Sequence, residues 1–353
     1  MPQLDIVVIG ASAGGLEALL DIVEKLPADL PASIFVVMHT RTEGDSHLPR
    51  ILSRQSRLPV AFAANGQPPQ RGHIYVAPPD LHLRVSNGAG MTLSRGPREN
   101  GFRPAIDPLL RSAAYAYGPR AMGVILSGAL DDGTYGLKVL KEAGGVAVAQ
   151  DPNEAAQRSM PLSAIRFAGV DHVLRAEEIA ALITELAGAP AEGAHGMART
   201  REPEPQKASD ETDIQEMQEE LGPPSGLTCP DCGGALWEVR EGQLMRYRCH
   251  VGHQFSVETL DAEQQDAVEA ALWSAVRILE EHADLRERMA RRAEASSLNT
   301  VAQGFTEGAR NSRQQAHTIR ELLYRREEPP HPPDTSAPSR KTKGGRKARR
   351  HRR

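Results

Sequence analysis

Cysteine is scarce in this 353-residue chain: there are three, Cys229, Cys232 and Cys249. An odd number within so short a span argues against a disulfide framework and for a metal site in a reducing compartment. The N-terminus has no basic leader or cleavage pattern before its first strand-like run, so no secretory signal is expected. No apolar stretch approaches the length needed to cross a bilayer, which leaves a cytoplasmic protein without membrane insertion as the simplest reading. The glycine-rich turn at 10–15 has no Lys-Ser or Lys-Thr after it, so it is not a P-loop. Its spacing is not G-x-G-x-x-G either, because Ser12 stands where the second glycine would be.

Residues 1–190 alternate short apolar runs with helical patterns. Leu4 to Ile9, Ser33 to Met38, Gly123–Ser127 and Val146–Gln150 read as buried strands, and Leu16 to Leu26, Ile106–Tyr117, Tyr135 to Ala143 and Glu177–Leu186 as helices. Such alternation implies an α/β fold, a doubly wound, mostly parallel sheet covered on both faces. The block at 60–95 reads as hairpins and as an antiparallel extension.

The remainder divides by composition. Residues 191–226 read as an acidic flexible linker; 201–220 alone hold eight acids against two bases. Residues 227–256 form a small cysteine module and 261–326 a helical region. Phe305, Ala309, Ser312, Ala316, Ile319 and Leu323 mark one helix face. Residues 327–353 are Pro-rich, then polybasic, and are expected to be disordered. No aromatic side chain interleaves the basic run, which argues against nucleic acid and for a solubilising tail.

Gly10-Ala11-Ser12-Ala13-Gly14 fits G-x-S-x-G between a strand and a helix. A serine on such a turn points out of the sheet, and the helix N-terminus favours developing negative charge. The same architecture also holds phosphates, so by itself it leaves a nucleotide-binding regulator open. A nucleophilic serine needs a base and an orienting acid. His39 directly follows the second strand run, and Asp132 follows the run Gly123–Ser127. In a parallel sheet the carboxyl ends of strands share one rim, so Ser12, His39 and Asp132 are expected to meet there. The order Ser, His, Asp is not that of the α/β-hydrolases.

Several stretches together resemble the catalytic domain of the chemotaxis receptor methylesterase CheB. They are Val7–Gly15, the strand ending in His39, Ile74–His82, Arg103–Asp107, Leu126–Gly128 with Asp132-Gly133, Ala149–Asp151, and Met160-Pro161. The resemblance implies Ser12 as nucleophile, His39 as base, Asp132 as its orienter, and the Ala129 backbone N–H as an oxyanion donor. It implies hydrolysis of glutamate methyl esters, with glutamine deamidation as a second activity, on methyl-accepting chemoreceptors or related signalling proteins, and no catalytic cofactor. Two side chains depart from the family's pattern: Ala13 where Thr is frequent, and Ala129 where Met is frequent. Many members also carry an N-terminal receiver domain, whereas this chain starts at the first catalytic strand, so control by a receiver of its own is not expected. The alternative is a non-catalytic adaptor in a signalling complex. Oligomeric state is not legible.

Cys229-Pro-Asp-Cys232, followed by Cys249-His250-Val-Gly-His253, has the spacing of a zinc ribbon. Cys229, Cys232, Cys249 and His253 are the expected ligands, with His250 as the alternative fourth. Four protein ligands make a closed, structural site, and so small a module needs the metal to fold.

Overall fold

A computed structural model describes residues 3–39, 46–88, 90–190, 224–241 and 244–326. The expected acidic linker at 191–226 lies outside the described residues as far as 223, and residues 224–226 belong instead to a strand that starts at Pro224; the tail at 327–353 also lies outside them. Two units meet at Gln265 and Asp266.

The first unit is built on a seven-stranded parallel sheet. Its strands are β1 (Ile6–Ala11), β2 (Ser33–Met38), β3 (Val60–Phe62), β4 (His73–Val76), β7 (Ala121–Ile125), β8 (Val146–Gln150) and β9 (His172–Leu174), in the order β3-β4-β2-β1-β7-β8-β9. β1 is central, pairing with β2 on one side and β7 on the other. Its side chains alternate between two cores. Val7, Ile9 and Ala11 pack with α1 (Gly15–Lys25) and α6 (Ala176–Leu186), while Ile6 and Val8 pack with α3 (Ile106–Tyr117) and α4 (Thr134–Glu142). A strand buried on both faces must read as a continuous apolar run, and IVVIGA does.

The block at 60–95 corrects the hairpin reading. β4 pairs in parallel with β2, and β3 pairs in parallel with β4 at the sheet edge. Only β5 (His82–Ser86) and β6 (Gly90–Ser94) form an antiparallel hairpin, outside the main sheet. The reason is visible in β4: Ile74, Tyr75 and Val76 are consecutive and all buried, the pattern of a two-sided strand rather than a hairpin arm. The three-residue β9, the short helices α2 (Leu48–Leu52) and α5 (Ser159–Ser163), and a π-helical turn at Ala164–Ala168 had too few residues to show a period.

The same unit contains a four-stranded antiparallel sheet, β10 (Pro224–Thr228), β11 (Ala235–Glu241), β12 (Leu244–Cys249) and β13 (Gln254–Ser256), paired in sequence order. Its own core is small: Cys229, Leu236, Cys249, Phe255 and Leu260, with Tyr247 against them. A long helix, α7 (Val257–Ala295), starts directly after β13.

In the second unit, the part of α7 from Asp266 onward and α8 (Asn299–Arg326) pack along a seam containing Val276, Ala316 and Leu323, with Leu272, Leu279 and Ile319 beside it. Ala309, Ser312, Ala316 and Leu323 of the expected apolar face are all buried. No helix among the described residues is long and apolar enough to cross a membrane.

Candidate active site

Strand order brings the site together. Ser12, His39 and Asp132 follow β1, β2 and β7, three neighbouring parallel strands, at their carboxyl ends. Strand order runs outward from β1 in opposite directions, β2 and β4 on one side and β7 to β9 on the other, so it reverses there, the switch point at which open α/β sheets place ligands. Ser12 Oγ lies 3.1 Å from His39 Nδ1, and His39 Nε2 lies 2.8 Å from Asp132 Oδ2. With Asp132 accepting from Nε2–H, Nδ1 presents its lone pair to the serine hydroxyl. The Phe102 ring stacks on the His39 ring, centroids 3.6 Å apart and planes within 11°, which fixes the ring's orientation.

Asp132 is fully enclosed. Its Oδ2 also accepts from the Ile106 amide at 2.7 Å, and its Oδ1 accepts from Asn100 Nδ2 and the Gly133 amide, both at 2.9 Å. Burial alone pushes this carboxyl up. The hydrogen bond and charge of His39, with the Ile106 and Asn100 donors, outweigh burial and bring it below its ordinary value. It is therefore an anion at neutral pH. Its neighbours behave oppositely: burial and the Asp132 charge push Asp107 up to about 7, and burial pushes Asp131 up to about 6.

The serine turn is tied to the loop after β7. The Ser12 amide donates to Ser127 O at 3.0 Å, and Ser127 Oγ donates to Ala13 O at 2.9 Å. Gly14 adopts a left-handed conformation at the start of α1 (φ 71°), and a Cβ there would lie 2.6 Å from Ala156 Cβ. The β7 loop is in turn pinned by the next strand and helix. Ser127 N donates to Gln150 Oε1, Gly128 N to Gln157 O, and Met160 N to Gly128 O. Among the described residues, the Ala129 and Ala13 amides donate no hydrogen bond, whereas the Ser12 amide is occupied.

The expected metal ligands converge separately. One ligand atom from each of Cys229, Cys232, Cys249 and His253 lies within 4.8 Å of the others, and His250 is not in this group. Cys232 Sγ and Cys249 Sγ are 3.7 Å apart, too far for a disulfide. His253 Nδ1 lies 3.5 Å from Cys249 Sγ and 3.7 Å from Cys229 Sγ. A tetrahedral ion with Zn–S about 2.3 Å and Zn–N about 2.0–2.1 Å has ligand edges of about 3.8 Å (S···S) and about 3.5 Å (S···N). These three separations match such edges, and the donor set of three thiols and one imidazole suits a tetrahedral metal. Asp231 stands 3.9 Å from His253 Nε2, where it can orient the imidazole. Burial pushes the Cys229 thiol up to about 12 and raises Cys249, a tendency that a bound cation reverses.

Sequence reasoning missed Asn100, Phe102, Arg246 and Ser256. The guanidinium of Arg246, on β12, lies over the Tyr135 ring (4.3 Å) and pairs with Glu99 and Asp107 at 3.6 and 3.7 Å. The only hint in sequence was an Asn100-Gly101 turn signal and one arginine amid an otherwise apolar-to-aromatic strand start, Leu244-Met245-Arg246-Tyr247.

Comparisons with known proteins fall on the sheet domain. The profile of the CheB methylesterase family matches residues 7–183. A Leptospira interrogans protein with the provisional name protein-glutamate methylesterase/protein-glutamine glutaminase is 41% identical over 180 residues, 51% of this chain and 93% of that protein. The protein-glutamate methylesterase/protein-glutamine glutaminase 2 of Anaeromyxobacter dehalogenans is 41% identical over 184 residues, 52% of this chain but only 54% of that longer protein. The crystal structure of the Thermotoga maritima CheB methylesterase catalytic domain matches with a TM-score of 0.50 at 36% identity, covering 52% of this chain and 98% of that one.

Proposed function

The chain belongs to the CheB methylesterase family of carboxylic ester hydrolases, and on that premise we propose that it hydrolyses γ-methyl esters of glutamates on a protein, with Ser12 as nucleophile. The observation that carries this reading is the continuous chain from Ser12 Oγ through His39 to the buried Asp132 anion. His39 Nδ1 takes the hydroxyl proton as Oγ attacks the ester carbonyl. Asp132 holds the Nε2–H tautomer and stabilises the imidazolium that forms. The Ala129 amide, with that of Ala13, receives the oxyanion. The intermediate collapses, the C–O bond to methoxide breaks, and the His39 proton leaves with it as methanol. Water, deprotonated by His39, then cleaves the acyl-serine and regenerates the enzyme. A glutamine side chain at the same position would release ammonia, in keeping with the names of the relatives.

The substrate we propose is a methylated chemoreceptor or a related signalling protein. The Cys3His cluster is read as a structural zinc site held by Cys229, Cys232, Cys249 and His253. Such thiols serve as ligands only while reduced, which supports a reducing compartment such as the cytoplasm as the site of action.

Labelling with a serine-directed fluorophosphonate tests the nucleophile. The native chain should be labelled once and release methanol from methylated receptor; Ser12→Ala should do neither. Equal methanol release by Ser12→Ala would overturn the assignment.

A further inference from the structure

The cysteine module is built into the wall of the catalytic site. The loop at 97–103 lies between them. The catalytic fold holds its two ends: His82 Nε2 donates to Pro97 O at 2.9 Å, and the Arg103 guanidinium grips Asp80 Oδ1 at 2.6 and 2.9 Å. The tip between these anchors rests on the module. Glu99 forms a parallel bridge with Gln254, and Asn100 N donates to Gln254 O at 2.8 Å. The tip thus adds a short rung to the open edge of β13, the end strand of the module's sheet. Gly252 also approaches Pro97 so closely that a Cβ there would stand 3.0 Å from Pro97 Cγ.

Two residues of this tip touch the triad. Asn100 has a left-handed backbone (φ 51°), and its side chain is buried and bridging. Its Nδ2 donates to Asp132 Oδ1 at 2.9 Å and to Asp107 Oδ2 at 3.2 Å, while its Oδ1 accepts the Ser256 amide at 3.1 Å. The β13 backbone therefore fixes which way the Asn100 amide faces, and hence that a donor meets Asp132. Phe102, two residues on, is the ring stacked on His39. A third link runs beside these: Ser256 Oγ and Thr259 Oγ1 donate to Asp131, next to Asp132, at 2.7 and 3.1 Å.

We propose that the Cys229–Cys232–Cys249–His253 module is a positioning element of the esterase, whose bound metal holds β12 and β13 in place and through Asn100 and Phe102 sets Asp132 and His39 for catalysis. Ester hydrolysis then rises and falls with occupancy by a divalent cation, zinc by the ligand set. The inference rests on the triad reading above. An apolar cluster of only five buried side chains, one of them Leu260 from α7, is too small to hold β13 unaided; the metal supplies the missing stability. β13 spans only Gln254–Ser256 and directly follows the ligand His253, so loss of ligation frees the strand that carries both contacts to Asn100. Asn100 and Phe102 are positioning residues.

The test uses the purified full chain. Its metal is quantified by elemental analysis, removed with ethylenediaminetetraacetate, and returned as zinc ion. At each stage kcat and KM are measured on a peptide carrying a glutamate γ-methyl ester, and amide hydrogen exchange is followed. We expect one zinc per chain. Its removal should lower kcat about 10- to 100-fold with KM within about twofold, the scale of a misplaced catalytic group. Amides of 98–102 and 254–256 should exchange at least about 10-fold faster while β1 and β7 are unchanged, and zinc should restore both. Asn100→Ala should keep its zinc and KM yet show the kcat loss. A chain purified without zinc, or a metal-free chain with native kcat or native protection at 98–102, overturns the proposal. So does Asn100→Ala with native kcat, and this variant decides the matter if metal removal also unprotects β1 and β7. If the loaded chain hydrolyses no ester, the triad reading fails, and exchange at 98–102 alone decides the coupling.

Discussion

Replacing Asp132 by Asn changes one atom's chemistry and tests the whole site. The carboxylate accepts on both oxygens: His39 Nε2–H and Ile106 N–H on Oδ2, and Asn100 Nδ2–H and Gly133 N–H on Oδ1, with the Asp107 amide at 3.4 Å. An asparagine has one acceptor and one donor group. Keeping its oxygen on the Asn100 side satisfies the larger set of donors and turns the NH2 towards Ile106 N–H and His39 Nε2. The Ile106 amide cannot respond. His39 can, by moving its proton to Nδ1, but Nδ1–H then faces Ser12 with no lone pair to receive the hydroxyl proton. The expected loss in kcat is about 10⁴-fold, the size of the same change in another Ser–His–Asp enzyme, equivalent to roughly 5.5 kcal/mol of barrier.

Stability should suffer less than activity. One buried amide left facing a donor costs about 1–3 kcal/mol. Against this, the lost charge relieves Asp107, whose carboxyl Asp132 helps to hold up near 7. Steady-state hydrolysis of a glutamate methyl ester and the fluorophosphonate labelling rate measure the first effect, and thermal unfolding the second. A folded Asp132→Asn protein with kcat within about 10-fold of the native value would refute the tautomer argument.

Two further outcomes follow from the same geometry. Asp107 faces Asp132, Arg246, Arg111, Asn100 and the Gly136 amide, and its carboxyl is raised to about 7 by burial first and the Asp132 charge second. Between about pH 4 and 7 the folded chain keeps a proton that the unfolded chain has released, so stability falls as pH rises through this window. Native protein should therefore lose up to about 4 kcal/mol relative to Asp107→Asn from pH 4 to pH 7, and a constant difference in denaturant unfolding would count against it. Gly128→Ala would place a Cβ 1.9 Å from Met160 Sδ and 2.9 Å from Ser12 Cβ. The methionine can bend but the serine cannot, so we expect about 1–3 kcal/mol of destabilisation and loss of Ser12 labelling; an unchanged labelling rate would show the loop to be looser than this packing.

What was legible in the sequence depended on distance along the chain. Ser12 and His39 stand at the ends of apolar runs long enough to be read as strands, and a parallel sheet then puts them on one rim. Asp132 was legible by the same logic because β7 is a neighbour of β1. β4 was misplaced because four residues between turn signals can serve a hairpin or a parallel sheet, and only its neighbours decide. Asn100 was out of reach for a different reason. Its partners Asp132 and Ser256 are 32 and 156 residues away, and a side chain that bridges two modules leaves no period in either. The separation of sheet domain and cysteine module in the sequence also concealed that both lie in one unit.

The two alanines that depart from the family's pattern bear on the site less than their positions suggest. Ala129 enters the proposed oxyanion site through its backbone, and that backbone is shaped by others. Gly128 on one side is fixed between Gln157 O and Met160 N, and Leu130 on the other takes a left-handed conformation (φ 59°). Ser127 before them is held by Gln150 and supports the amide of Gln157. None of these constraints uses the side chain at 129. Ala13 is similar: its carbonyl is secured by Ser127 Oγ, and its side chain is exposed. A donor amide aimed by β8 and α5 keeps its aim whatever methyl or thioether it carries. On the proposed reading, the departures therefore act on the shape of the opening that would receive the substrate, a matter of KM, while the backbone geometry proposed to stabilise charge is set by the strands behind it.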